Sequence, residues 1–393
     1  MLKLDARPQA GGIYVHVPFC VQKCAYCNFY SVSDAGRIEA YVTALQQEIC
    51  LRAAEIPPDF AADTLYFGGG TPSMLTPAQV CAIIEALRQN YALVADAEIT
   101  LEVNPATADR SKFQAYRAVG VNRLSIGMQT FDNGMLALLG RAHDDAAGMA
   151  AFTDAREAGF ENISVDLIYG LPGQSMRQLN DDIDRILALG AEHISAYMLT
   201  LEPDAKLAQM LRHGAAPPLD EDLQRAAFDT VLERLDAGGY RQYEISNFSR
   251  RDVAGRDLRS RHNLKYWNFA PYLGFGPAAH SFRLPNRRAW NVSDVAAYIQ
   301  RLEAGVAPQE DGESLNPEQM MMEMIYLGLR QNRGIDVTAF DKLCPQGFTH
   351  VCNAPLQKML ADSYIMMQNG FCALTAKGRP FLDYATQMLV NAL

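Results

Sequence analysis

The sequence predicts an α/β protein built on parallel strands with helices outside them. Short apolar runs alternate with longer amphipathic stretches, those stretches carry helix start and stop residues, and the alternation repeats six times before residue 205. The β-rich runs lie at 12–17 (GIYVHV), 63–67 (DTLYF), 97–103 (AEITLEV), 122–127 (NRLSIG), 162–168 (NISVDLI) and 193–199 (HISAYML). All are short and rich in Val, Ile, Tyr or Leu, the composition of strands covered on both faces. Helices are predicted over 37–54, 76–90, 145–158 and 175–189. Thr76 and Pro77 make a helix start, a capping hydroxyl followed by proline, and Gly120, Gly159 and Gly190 are helix stops. Six βα units can close partly as a (β/α) barrel or open as a doubly wound sheet, and periodicity does not choose. In both, ligands sit beyond the C-terminal ends of the strands, so chemistry-bearing residues should follow each strand.

Beyond residue 205 the rhythm changes. A helix is predicted over 219–237, a β-like run over 240–248, a Gly/Pro-rich region over 271–280 and a linker over 308–312. A compact C-terminal piece starts near Asn316 with a Met-rich helix. The chain therefore divides into a core (1–205), an extension (206–306) and a C-terminal domain (307–393).

At 393 residues the chain buries a large core without needing disulfides, and eight cysteines are too few for a disulfide scaffold. With 35 Lys and Arg against 45 Asp and Glu, the net charge of −10 excludes a broad nucleic-acid footprint. No apolar stretch nears the roughly 18 residues of a membrane span. The opening MLKLDARPQAGG has no apolar signal core. The expectation is a soluble, cytoplasmic protein with reduced thiols.

Cys20, Cys24 and Cys27 are spaced C-x3-C-x2-C directly after the first strand. Three thiolates in one short loop suit soft metals and can wrap three corners of an iron–sulfur cluster. A four-cysteine zinc site would need a second pair, and none follows. Three ligands for four irons leave one iron open to an exogenous ligand. Five cysteines remain, Cys50, Cys81, Cys344, Cys352 and Cys372, without ligand-like grouping. Cys50 and Cys81 are expected to be small core hydrophobes within helices.

This spacing, with aromatic Tyr26 before the third cysteine, resembles the radical S-adenosylmethionine (SAM) superfamily. The resemblance implies a 4Fe-4S cluster whose open iron is chelated by SAM, with reductive cleavage of SAM to a deoxyadenosyl radical. It implies a partial (β/α)6 barrel followed by a smaller, mainly helical C-terminal domain. The other strand ends agree. Gly68-Gly69-Gly70-Thr71-Pro72 after the second strand resembles the element that holds the SAM amino group, and Glu102 after the third suits a ribose diol. Gln129, Asp166 and Thr200 follow or end later strands, and Arg141 is placed in a helical segment after the fourth.

YVHVPFC, GGGTPS, EVNP, SIGMQTF and VDLIYGLPGQ look like the branch that holds oxygen-independent coproporphyrinogen III oxidase (HemN) and the haem chaperones (HemW). By that resemblance Tyr14, Gly69, Gly70, Thr71, Glu102, Gln129, Arg141 and Asp166 match SAM-contacting positions, and Tyr26 lies against the cluster. The oxidase motif continues to a fourth cysteine two residues on, where this chain has Phe29; the oxidase also carries an N-terminal extension, whereas here the first strand begins by residue 12. Both departures favour the chaperones. So does His262-Asn263-Leu264-Lys265-Tyr266-Trp267, an H-N-x-x-Y-W element linked to haem handling in them. Imidazole is an axial haem ligand and Tyr and Trp offer flat amphipathic faces, so His262, Tyr266 and Trp267 are candidate haem contacts. His280 is a second candidate, with a structural role explaining it equally well. Met320, Met321, Met322 and Met324 could line a porphyrin but read first as core. The expected function is haem delivery to acceptor proteins such as membrane-associated respiratory enzymes. The alternative is radical decarboxylation of coproporphyrinogen III or another tetrapyrrole reaction.

Overall fold

A computed structural model describes residues 10–55, 60–250 and 255–393. Strands β1 (Gly11–Val17), β2 (Ala61–Gly69), β3 (Ala92–Val103), β4 (Arg123–Gln129), β5 (Ile163–Tyr169) and β6 (His193–Met198) lie side by side in chain order, all parallel. Every residue of β4, and all but one of β1 and of β5, is buried, because helices cover one face and the molecule's interior lies against the other. The predicted helices form as Ile38–Arg52, Pro77–Asn90, Asp145–Glu157 and Met176–Leu189. Thr76 and Ser175 each close a capping box with the glutamine three residues on, and Gly190 caps in the left-handed region. Helix Arg110–Ala118 precedes Gly120, and helix Asn133–Leu139 follows the fourth strand.

The sheet grows at both sides rather than closing. The β-like run at 240–248 splits into β7 (Tyr240–Gln242) and β8 (Asn247–Arg250), an antiparallel pair added to β6. On the opposite side β9 (Tyr272–Phe275) pairs parallel with β1, followed by antiparallel β10 (His280–Arg283), β11 (Arg287–Asn291) and β12 (Gln309–Ser314). The result is one twelve-stranded open sheet. Two expectations change here. The Gly/Pro-rich region holds a strand, and the linker at 308–312 belongs to edge strand β12, whose sequence QEDGES has no apolar residue for a hydrophobic period to register.

The C-terminal piece starts on helix Pro317–Arg330, capped by Asn316, and has its own core around Ile325, Phe340, Phe348, Met359 and Leu389. Helices there outweigh a small sheet of three short strands. Cys344, Cys352 and Cys372 are buried in that core. Met320 is buried in a separate apolar cluster, while Met321 and Met324 flank the C-terminal core. Cys50, expected inside, is exposed, and Cys81 is half-buried, because both sit on outer flanks of their helices. Among the described residues no helix is long and apolar enough to cross a membrane.

Candidate functional site

The three cysteines lie on the loop that leaves β1, and that loop is fastened across the C-terminal ends of the strands. Cys20 N–H donates to Val32 O (2.9 Å), Ala25 N–H to Leu139 O (2.9 Å) and Leu207 N–H to Ala25 O (2.8 Å). All three thiols are half-buried. Thr71 Oγ1 donates to Cys20 Sγ, and Arg141 Nη1 to Cys24 Sγ, each at 3.5 Å. The same guanidinium reaches Tyr26 Oη (3.5 Å) and Gly127 O (2.8 Å), while its Nε is buried without a partner. Burial pushes the Cys27 thiol up, and neighbouring Cys24 and Cys20 push it further. A Cys27 thiol raised by burial and by its neighbours favours a bound cation that lets it ionise. Among the described residues no three His, Cys, Asp or Glu converge on a single-ion geometry. Three partly sheltered thiols along one loop, beside a cation with a spare N–H, fit a cluster held at three corners. Arg141 is not helical as expected: helix Asn133–Leu139 ends at Gly140 in the left-handed region, and Arg141 follows on the turn.

The other predicted residues gather at the same end. Gly69 has φ +108°, and a Cβ there would sit 2.6 Å from the His16 ring. A Cβ on Gly70 would meet Phe19 O at 2.8 Å and Val17 O at 2.9 Å. These glycines let the β2 exit loop lie directly against the start of the cysteine loop. Glu102, on β3, accepts from Tyr66 Oη at 2.8 Å, and burial outweighs that bond, pushing its carboxyl up to about 7. Tyr14 Oη and His16 Nδ1 are 3.1 Å apart, and the Tyr14 and Tyr66 rings stack with centroids 6.2 Å apart. Gln129 ends β4 at φ +70°, next to a register shift against β5 that turns its side chain out of the strand's alternation. Asp166 accepts from Ser125 Oγ (3.1 Å) and Ser164 Oγ (3.4 Å), and burial raises its pKa. Thr200, just past β6, is exposed.

The H-N-x-x-Y-W element is the helix Arg261–Trp267, capped by Ser260. Glu98 fixes its start, accepting from the backbone N–H of Arg261 (3.2 Å) and His262 (3.1 Å). His262 is only 1% exposed. Its Nδ1 pairs with Thr64 Oγ1 at 2.8 Å, its Nε2 pairs with Tyr266 Oη at 2.9 Å, and its ring stacks on Tyr66 with centroids 5.0 Å apart. Burial pushes its pKa down to about 3, with Lys265 and Arg123 adding to the effect, so the imidazole is neutral. Neither nitrogen is open to a haem iron in this arrangement. The helix packs against β1 and β2 and turns His262 inward, where it braces the tyrosine that holds Glu102. Tyr266 packs edge-on against Tyr272, and Trp267 lies half-buried under Arg330 with its indole N–H buried and unpartnered. His280 is exposed beside Trp290.

Thr64 and Tyr66 escaped the sequence reading. Their signal was the every-second-residue row Thr64, Tyr66, Gly68 in β2, which puts polar groups on an inward face where an apolar strand would not.

Comparison with known proteins extends these observations. The chain matches the radical SAM superfamily over residues 14–186 and the HemN C-terminal domain over 315–381. It is 35% identical to a Bacillus subtilis protein named heme chaperone HemW, over 93% of this chain and 95% of that one. The Escherichia coli protein of the same name is 30% identical over 96% and 97% of the two chains. A bovine mitochondrial protein named radical S-adenosyl methionine domain-containing protein 1 is 34% identical over 86% and 77%. Among solved structures, Escherichia coli coproporphyrinogen III oxidase (HemN), described as a radical SAM enzyme, superposes with a TM-score of 0.84 at 25% identity, over 98% of this chain and 92% of the other.

Proposed function

Because the chain belongs to the radical SAM superfamily and, within it, to the HemW branch, we propose that it is a haem carrier whose strand ends hold a 4Fe-4S cluster and SAM. Cys20, Cys24 and Cys27 would ligate the cluster, with Tyr26 and Arg141 against it. Tyr14, Gly69, Gly70, Thr71, Glu102, Gln129 and Asp166 would contact SAM. When bound, the pair supplies one-electron reductive cleavage of the sulfonium. The chain's own contribution is placement. Arg141 neutralises thiolate charge at Cys24, the Gly69–Gly70 turn admits a ligand close to backbone, and Tyr66 orients the Glu102 carboxyl. Haem bound elsewhere on the chain would pass to acceptor proteins, with membrane-associated respiratory enzymes as the proposed recipients and the cytoplasm as the place of action. The SAM site would then gate that transfer.

The observation that carries this reading is near-full-length likeness to proteins named heme chaperone, joined to Phe29, which is 64% exposed where the oxidase has a further cysteine. The second reading, oxidative decarboxylation of coproporphyrinogen III, draws on the structural likeness to the oxidase. One anaerobic experiment separates them. The reconstituted, reduced protein is given SAM and coproporphyrinogen III, with haem titrated in parallel. The expected results are about four irons per chain, lost when any of Cys20, Cys24 or Cys27 becomes Ala, and saturable haem binding without protoporphyrinogen formation. Catalytic turnover to protoporphyrinogen would replace the carrier reading with the enzyme.

A further inference from the structure

We propose that His193 and Tyr243 are positioning residues for the strand-end site: through Ser164 they hold Asp166 in one orientation and in its ionised form, by a line of hydrogen bonds that starts at the H-N-x-x-Y-W helix. The proposal rests on the reading of Asp166 as a SAM contact. Ser164 and Asp166 share one face of β5, and His193 and Ser195 share the same face of β6, with Ser164 opposite His193 and Asp166 opposite Ser195. Ser164 and His193 are fully buried, and Tyr243 is buried just past β7.

The direction of the line follows from its fixed end. The backbone N–H of Ser260, the cap of helix Arg261–Trp267, can only donate, and it donates to Tyr243 Oη at 3.3 Å. Among the described residues the Tyr243 hydroxyl has one acceptor, His193 Nε2 at 2.8 Å. Burial, with Arg123 adding to it, keeps the His193 imidazole neutral. Accepting at Nε2 therefore leaves the ring proton on Nδ1. Nδ1–H donates to Ser164 Oγ (2.7 Å), and Ser164 donates in turn to Asp166 Oδ1 (3.4 Å), directly or through Ser195 Oγ (3.3 Å). A proton on Asp166 given to Ser164 would reverse the line and leave the Tyr243 hydroxyl proton buried without an acceptor.

Hydrogen bonds donated to a carboxylate favour its charged form, and Ser125 Oγ adds another at 3.1 Å. Burial acts the other way on Asp166. Glu102 is the second buried carboxylate here, and Asp166 adds to the rise of its pKa. Two neighbouring buried carboxylates resist being charged together, and the line selects Asp166 as the anion. SAM, with a sulfonium and an ammonium against one carboxylate, is a net cation and favours an anionic partner. One helix start thus reaches both carboxylates, Asp166 through Tyr243 and His193, and Glu102 through His262 and Tyr66.

The test measures SAM affinity of the anaerobically reconstituted full chain by equilibrium dialysis at pH 6 and pH 8. Wild type is compared with Tyr243→Phe, His193→Leu, Asp166→Asn and His193→Leu/Asp166→Asn, with iron content and thermal melts checking that each is loaded and folded. Tyr66, Glu102, Arg123 and Tyr197 face Asp166 from β2, β3, β4 and β6 and are the same in every variant, so the ratio to wild type at each pH isolates Asp166. The expected outcome is affinity about tenfold below wild type at pH 6 for Tyr243→Phe and His193→Leu, with the gap narrowing at pH 8, where a carboxyl released from the line ionises again. In the Asp166→Asn background His193→Leu should add no further loss. Tyr243→Phe and His193→Leu that match wild type at both pH values, beside a weakened Asp166→Asn, overturn the line and leave the SAM site standing. A loss equal at both pH values and additive with Asp166→Asn gives His193 a packing role only, and also overturns it. Wild type without saturable SAM binding, or Asp166→Asn equal to wild type, overturns the SAM reading of Asp166 and the proposal with it. Should His193→Leu fail to fold, Tyr243→Phe, which keeps the ring, decides alone by its ratio at the two pH values.

Discussion

Glu102 is the residue whose protonation the site controls most directly. Its folded pKa of about 7 lies above the ordinary 4.5, so the folded protein holds a proton that the unfolded chain has released between those values. That stabilisation is complete below pH 4.5 and is lost as pH rises through 7, to a total on the order of 3 kcal/mol. Glu102→Gln removes this contribution. Urea denaturation at pH 5 and pH 8 should show the variant gaining on wild type at the higher pH, and an equal difference at both would refute the shift. His262 supports a second prediction. With both nitrogens committed inside, His262→Ala should weaken SAM binding while leaving the Soret maximum of bound haem unshifted. Tyr66→Phe should lower SAM affinity in the same way with less loss of stability, since the ring packing remains. A shifted Soret band in His262→Ala would assign the imidazole an axial role instead. The cysteine triplet was legible because its ligands are neighbours in sequence. The His262–Thr64 pair was not, since 198 residues separate its members and only the folded sheet joins them.

At the scale of elements, the parallel strands were readable because burial on both faces makes them continuously apolar. β9 was hidden because GFGP reads as loop, and it forms a strand only because β1 offers a free side to pair with. The β9–β11 extension is fixed to helix Ile38–Arg52 by one buried carboxylate. Glu48 accepts from Arg52 Nη1 (2.7 Å), Asn291 Nδ2 (2.7 Å), Tyr298 Oη (2.6 Å) and Gly276 N–H (2.8 Å), and is fully buried. An amphipathic reading of the helix cannot foresee a glutamate on its inner side, because the partners come from more than two hundred residues away. Glu48→Ala strands Arg52 and three other donors and should cost about 3–5 kcal/mol, seen as a lower denaturation midpoint. An unchanged midpoint would show the network to be dispensable.

In the whole molecule, the C-terminal domain has a separate core and is joined to the sheet by apolar contacts and polar bonds. Arg330 carries several of them. Its guanidinium lies 3.4 Å from buried Glu244 and covers Trp267, and its carbonyl accepts from Ile245 N–H at 2.9 Å. Burial already raises the Glu244 pKa, and Arg330 is the first influence opposing that rise. Arg330→Met should therefore loosen the domain from the sheet, with limited proteolysis cutting between them faster than in wild type. An identical digestion course would show that other contacts suffice.

The open sheet has a last consequence, for how copies of the chain meet one another. A closed barrel has no free edges, whereas among the described residues this sheet ends in two, each a row of backbone groups on which a neighbouring strand could grow. At one edge β7 spans only three residues. At the other, β12 carries Glu310, Asp311 and Glu313 in a six-residue strand, so a second copy brought alongside would set carboxylate against carboxylate. The same acidic, apolar-free sequence that carries no hydrophobic period thus sets like charges against edge-to-edge growth of the sheet.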